Sequence, residues 1–326
     1  MRSIGLPSWI DRLLGAGEQP VPPHAFAVDG EELRGASFRR EGESHELREL
    51  HAVPMPAGAL AGGPLGGPIS DADALTRAVA ELVRRFAKPP RRASLVLPDL
   101  WARALVVELG DLPRRVDLRT EVLRFRLKKL VPFRVDELRV AATAVPHVVG
   151  QEDPVRALVL YAADGLCAGL EHAFAAAGVA IGQITNSTLA RLTALSRPEE
   201  GGLFALAAVE ATGFTLVFAR SGEPLLWRQK SFADGLDENE RAPLLAAELR
   251  LTRTFLEDRL GGEPLTSVAL AAPRGVEAFW TTVLEQGLEV PVLPIAARDL
   301  PHGVASGGIE SAAVASLVGA VTRRVA

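Results

Sequence analysis

The residues able to do chemistry are few, and their spacing removes most of the options. Six histidines include no His-x-x-x-His pair and no glutamate set between two of them, so a zincin-type metal site is excluded. No Gly-x-Ser-x-Gly elbow exists to present a nucleophilic serine. His147 and His302 each follow a proline and read as solvated loop histidines. The single cysteine, Cys167, rules out an internal disulfide and any cysteine-based zinc site. Its Ala/Gly/Leu-rich surroundings read it as a small buried hydrophobe. Residues 62–68, Gly-Gly-Pro-Leu-Gly-Gly-Pro, are rich enough in glycine to cradle a phosphate. They lack the Lys-Ser/Thr ending of a P-loop and read as a flexible connection.

What remains is local charge. The chain has 326 residues and a formal net charge of −4, yet nine Arg/Lys lie between Arg114 and Arg139 against Asp117, Glu121, Asp136 and Glu137. Such a run is either a solvated helix face or an interface for an acidic partner or lipid headgroups. Nucleic acid is not expected, because the whole chain is acidic, aromatics are 5%, and aromatic and basic residues do not interleave.

The elements that position these residues follow from pattern and punctuation. A hydrophobic content of 48% and a mean hydropathy of +0.17 support large cores in two domains. Residues 4–14 place Leu6, Trp9, Ile10, Leu13 and Leu14 on one helical face, which packs on the domain or a partner or lies on a membrane. Prolines 20, 22 and 23 stiffen the linker after it. Residues 25–38 read as two strands around an Asp29-Gly30 turn. Ser70 with Asp73 caps a helix carrying Leu75, Val79, Leu82, Val83 and Phe86, stopped by Pro89-Pro90. Strands at 94–97, 103–109 and 138–145 surround a helix from about Asp117, its N-cap, to Val131, ended by Pro132. A strand from Val155, a helix at 164–177, a strand at 181–184 and a helix at 186–195 lead to a boundary at Glu199–Gly202. Beyond it come a three-strand meander with a Ser221-Gly222 turn and a helix at 240–260. A strand at 266–271, a helix near 276–287, a strand at 290–293 and a helix from about Ile309 to Arg323 close the chain. Twice, strands in a hairpin or meander lead into a helix and further strands.

The order of the pieces from Ala93 to Val145 resembles one family. Leu97-Pro98-Asp99, Leu112-Pro113, and Val131-Pro132-Phe133 followed by Asp136-Glu137-Leu138 are similar to the inserted subdomain of PilM, the actin-like inner-membrane protein of type IV pilus assembly. The cytoplasmic half of the type II secretion protein GspL is a close cousin. The resemblance covers most of residues 25–323, best at 93–145 and 245–271. It implies an α/β, actin-like (ribonuclease H-like), duplicated two-domain fold with an inserted α/β subdomain in the first half. The divisions implied are an N-terminal segment and linker at 1–24 and a first half at 25–200, with the insertion at about 99–178. A second half at 201–302 and a closing helix at 303–326, returning to the first half, complete them.

The resemblance also implies a nucleotide cleft, and here the sequence departs from the family. The first phosphate hairpin reads Asp29, Gly30, Glu31, Glu32, with carboxylates in place of hydroxyls. The second reads Glu210-Ala-Thr212, without the expected glycine, and the adenosine turn carries Pro273 and Gly275 instead of a Gly-Gly pair. A carboxylate ~5 Å from a phosphate charge costs roughly 3 kcal/mol at an effective dielectric of about 20, about a hundredfold in affinity. Bridging Mg²⁺ would reverse that sign. The expectation is therefore no cofactor, with ATP and Mg²⁺ as the opposing reading. By the same resemblance the chain is a non-catalytic scaffold that binds the cytoplasmic tail of a PilN-type bitopic membrane protein and adjoins the assembly motor ATPase. The tail-binding residues implied are Arg124, Lys128, Leu130, Phe133 and Arg134. The alternative is an ATPase or small-molecule kinase of the actin superfamily. No apolar run reaches the ~18–20 residues of a membrane span, and no signal layout opens the sequence. A cytoplasmic protein, peripheral at the inner membrane, is expected.

Overall fold

The computed structural model describes residues 21–41, 44–109, 113, 115–145, 155–195, 202–220, 223–259, 264–296, 300 and 311–322. The amphipathic segment at 4–14, the turn at 221–222, His147, His302 and most of the Glu199–Gly202 boundary lie outside them.

Two five-stranded sheets share one topology. In the first, β1 (His24–Val28), β2 (Glu32–Glu41) and β3 (Ser44–Pro54) form an antiparallel meander, and β4 (Arg92–Leu97) and β8 (Ala180–Asn186) add in parallel, giving the order β3-β2-β1-β4-β8. In the second, β9 (Leu203–Glu210), β10 (Gly213–Arg220) and β11 (Glu223–Ser231) form the meander. The strands β12 (Leu265–Ala271) and β13 (Val292–Pro294) extend it to β11-β10-β9-β12-β13. The repeat expected from the sequence is thus a repeat of sheet order. The long β3 strand is a finding: its Ser-His-Glu-Leu-Arg-Glu-Leu run breaks the two-residue alternation by which a strand announces itself.

Helices follow the same duplication. In the first half α1 (Ala72–Arg84), α3 (Asp164–Ala176) and α4 (Ser187–Leu195) correspond in order to α5 (Glu238–Arg259), α6 (Glu277–Leu288) and α7 (Ser311–Val321) in the second, with α2 (Val116–Leu127) between α1 and α3. Leu75, Val79 and Leu82 of α1 and Leu166, Leu170 and Phe174 of α3 bury against the first sheet. The caps differ from expectation at two helices. Asp71, not Ser70, caps α1 by accepting from Ala74 N (2.8 Å); Ser70 lies one residue further out, its N–H donating to the Ala59 carbonyl (2.8 Å) beside the Leu60–Ile69 bridge. Asp117 lies inside α2, whose N-cap is Arg115 with no side-chain cap. The regular helix stops at Leu127, and a tighter turn through Leu130 carries the chain to Pro132.

Between β4 and α3 the chain builds a third sheet, β5 (Ala102–Leu109), β7 (Val155–Ala163) and β6 (Leu138–Val145), antiparallel with β7 in the middle. It is covered by α2 through Leu123 and Leu127. Arg139 of β6 ties this sheet to α3 through Asp164 (3.0 Å) and Glu171 (2.6 Å). The hydrogen bond to Glu171 raises the pKa of that guanidinium.

The two halves meet at α4 and α7. Every side chain of α7 from Ala312 to Val321 is buried. At Gly319 a Cβ would lie 1.7 Å from the Ala190 carbonyl oxygen, so only glycine admits this approach of two backbones. The same helix packs on β1, β2 and β4, closing the second half against the first sheet.

Candidate functional site

The polar centre between the halves follows from the sheet order. Adjacent parallel strands β4 and β8 pair Leu97 with Asn186, so the residues just beyond both strands are neighbours at the carboxyl ends, where open α/β sheets place their sites. Asp99 is 2% exposed there. Its Oδ1 accepts from Ser187 Oγ (2.9 Å) and Thr188 N (2.9 Å), and its Oδ2 accepts from Thr188 Oγ1. A carboxylate thus caps the N-terminus of α4, where the helix dipole favours it. Asn186 adds a second cap, accepting from Leu189 N (2.7 Å) and donating to the Ala102 carbonyl (2.9 Å). The Leu-Pro-Asp motif therefore serves as an anchor for the helix that joins the halves.

Glu210 reaches this centre from the second half. Ser187 Oγ lies 2.8 Å from Glu210 Oε1, and Arg191 Nη1 lies 3.9 Å from the same oxygen. The serine has one hydrogen and two carboxylates to serve, so the pair is fully hydrogen-bonded only when Glu210 carries a proton. Burial, with repulsion from Asp99, pushes the Glu210 pKa up to about 7 against the pull of Arg191. Asp99, Asn186, Ser187, Thr188 and Arg191 had no functional reading in the sequence. They are separated by up to 92 positions from one another, and only the Asp99 motif and the helix start at Asn186 marked the place.

The three turns of the implied nucleotide cleft each have their own partners. In the first, Asp29 Oδ1 accepts from Glu31 N (2.8 Å) and Glu32 N (2.7 Å), the amides a phosphate would need. Arg34 pairs with both Asp29 (3.5 Å) and Glu32. Gly30 offers open space, but the donors around it are already engaged by a carboxylate. In the second turn Glu210 points to Ser187, and Thr212 is exposed. A Cβ on Gly213 would come within 2.3 Å of the Lys230 carbonyl oxygen, so that glycine serves the sheet. In the third turn Pro273 is exposed, and the N–H of Gly275 donates to Glu277 Oε2 (2.6 Å). Among the described residues no three His, Cys, Asp or Glu side chains gather as metal ligands.

A different opening lies between the first half and the third sheet. It is a groove of about 860 Å³ whose walls include Leu65, Ile69, Phe133, Arg134, Leu138 and Leu166. The glycine-rich loop forms one wall. It is packed, in contrast to the flexible connection read from its composition: Leu65 is buried, and at Gly66 a Cβ would meet Trp101 and Leu166 at 2.8 Å. The opposite wall is the Pro132-Phe133 corner, with Arg103 stacked 5.6 Å from the Phe133 ring centroid and Tyr161 beside it. Of the implied tail-binding residues, Phe133 and Arg134 line this groove, Arg134 pairing with Glu137 (2.8 Å). Arg124 donates to the Leu138 carbonyl (3.2 Å), while Lys128 and Leu130 are exposed beyond the end of α2. Cys167, expected to be buried, is buried, and desolvation pushes its thiol up to about 11.

No protein-family model matches the sequence, and no curated protein matches it. Solved structures do. A chain of the PilM–PilN type IV pilus biogenesis complex superposes with a TM-score of 0.71 at 19% identity, over 93% of this chain and 99% of that one. The cytoplasmic domain of EpsL, an inner-membrane component of the type II secretion system of Vibrio cholerae, aligns at 12% identity over 77% and 82% of the two chains, with a TM-score of 0.46. The ethanolamine utilization protein EutJ from Carboxydothermus hydrogenoformans aligns at 11% identity over 96% and 95%, with a TM-score of 0.47. The first likeness, together with the duplicated sheet order, establishes the fold as the actin-like one expected from the sequence, with its inserted subdomain in the first half.

Proposed function

We propose that this chain is a cytoplasmic scaffold of an inner-membrane assembly platform of the type IV pilus or type II secretion kind. In this reading the groove between the first half and the inserted sheet holds an extended tail of a PilN-type bitopic membrane protein, and the cleft between the halves does not use nucleotide. The observation that carries the reading is the groove: a preformed apolar trough of about 860 Å³ with a few polar groups at its edge, the form in which small or extended ligands are held. The likeness of fold to a chain of a complex named for PilM and PilN supports the same assignment. Against nucleotide stand the carboxylate already on the amides of Glu31 and Glu32, and Glu210 turned to Ser187. Attachment to the membrane and contact with a motor ATPase belong to the same proposal. Among the described residues no helix is long and apolar enough to cross a membrane.

The test uses, as a labelled peptide, the cytoplasmic tail of a PilN-type bitopic membrane protein from the same genome. Gly165 lines the groove, and a Cβ there meets nothing within 4 Å. Gly165→Trp therefore fills the trough while replacing a helical glycine, which by itself favours the helix. Fluorescence anisotropy is expected to show peptide binding by the wild type and a loss of roughly a hundredfold in the variant, with thermal stability retained. Equal affinity in both proteins would remove the groove from the assignment.

A further inference from the structure

We propose that the outward face of α2 docks on an anionic lipid bilayer. The helix is apolar on two sides. Leu123 and Leu127 are buried on the third sheet, so α2 cannot rotate to hide its other apolar residues. Those are Leu118, 42% exposed, and Phe125, 65% exposed, one above the other two turns apart; Leu130, 57% exposed, follows the helix end. Three of the six large hydrophobic side chains left exposed among the described residues thus fall within residues 118–130. A stable helix of a water-facing surface carries one apolar stripe, and a second, uncovered one calls for a second environment.

Charge identifies that environment. Between residues 115 and 130 stand six Arg/Lys against Asp117 and Glu121, on a chain whose net charge is −4. The exposed Arg126, Lys128 and Lys129 flank the apolar pair, and Lys129 Nζ lies 5.3 Å from the Phe125 ring centroid. Long cationic side chains around Phe and Leu match the layered chemistry of a bilayer interface. Their ammonium and guanidinium groups reach phosphate headgroups while the rings and branched chains enter the acyl boundary. The rival occupant is an acidic protein with a groove for this helix, and the response of the wild type to anionic vesicles separates the two. The proposal is independent of the groove, since α2 needs no tail peptide to meet lipid.

The experiment is co-sedimentation of the full chain with vesicles of phosphatidylcholine alone and with about one-third phosphatidylglycerol, at low and physiological salt. Two variants probe α2, Lys128→Glu with Lys129→Glu, and Leu118→Ser with Phe125→Ser. A third, Arg84→Glu with Lys88→Glu, makes the same charge change on exposed residues at the end of α1. All three alter exposed side chains, and circular dichroism checks their folding. Expected are salt-sensitive binding of the wild type to the anionic vesicles only, at least about tenfold weaker partitioning of both α2 variants, and wild-type binding by the α1 control. A wild type that ignores anionic vesicles would overturn the proposal and leave an acidic protein as the partner for this face. Wild-type binding by both α2 variants would also overturn it, placing lipid contact elsewhere in the chain, and an equal loss in the α1 control would reduce the effect to net charge.

Discussion

The polar turns and junction of the halves on one side, and the groove beside the inserted sheet on the other, are built on opposite plans. The carboxylates of the first hairpin and of the junction between the halves are already served: Asp29 by the amides of its own turn, Asp99 by the start of α4, Glu210 by Ser187 and Arg191. The groove beside the inserted sheet is mostly apolar and open. A polar cleft that satisfies itself offers an anion few free donors and several repelling charges. An apolar trough has much to gain from an occupant, because every covered ångström of it leaves water. On the proposed function, this contrast is how the fold would keep its architecture while its binding surface lies at the edge of an insertion.

The largest effect that could break this contrast is at Asp99. Asp99→Ala leaves Thr188 N and Thr188 Oγ1 without their buried acceptor, at an expected cost of about 3 kcal/mol in urea unfolding. A cost below roughly 0.5 kcal/mol would mean that water replaces the carboxylate freely, and that the cleft is open rather than self-satisfied.

A smaller effect, with a sign that can be worked out, is at Glu210. Its pKa is raised to about 7 in the folded chain from an ordinary value of 4.5, so the folded state holds a proton that the unfolded state has released over that interval. Stability from this group is full below about pH 4.5 and is lost as pH rises through about 7. Glu210→Gln is expected to match the wild type near pH 4 and to exceed it by on the order of 2 kcal/mol near pH 8. Parallel pH profiles for the two proteins would deny the shared proton between Ser187 and Glu210.

The same two regions differ in how far the sequence disclosed them. Proline and glycine punctuation places most strands and helices, since their backbone restrictions act locally. The Asp29-Gly30 turn is visible for that reason. The cluster of Asp99, Ser187 and Glu210 is not, because it exists only where two parallel strands end side by side and a third arrives from the other half. The groove was hidden for a different cause. Residues 62–68 read as a loose connection from composition alone, whereas Leu65 inserts into the core beneath the third sheet and stiffens the loop into a wall. Arg124, one of the tail-binding residues that the resemblance implies, donates to the Leu138 carbonyl, a contact 14 positions away that helical spacing cannot reveal. The face of α2 was half visible: the basic run is plain in the sequence, but which of its apolar residues stay outside is decided by the sheet it covers.

The central contrast is tested most directly by thermal unfolding of one protein sample with two ligands in parallel, Mg²⁺-ATP and the tail peptide. A ligand present at about 100 times its dissociation constant stabilises the fold by about 2.7 kcal/mol, well within detection. Expected is a clear upward shift in Tm with the peptide and none with Mg²⁺-ATP at millimolar concentration. A shift with Mg²⁺-ATP and none with the peptide would contradict the account, returning function to the cleft and leaving the groove as unused surface.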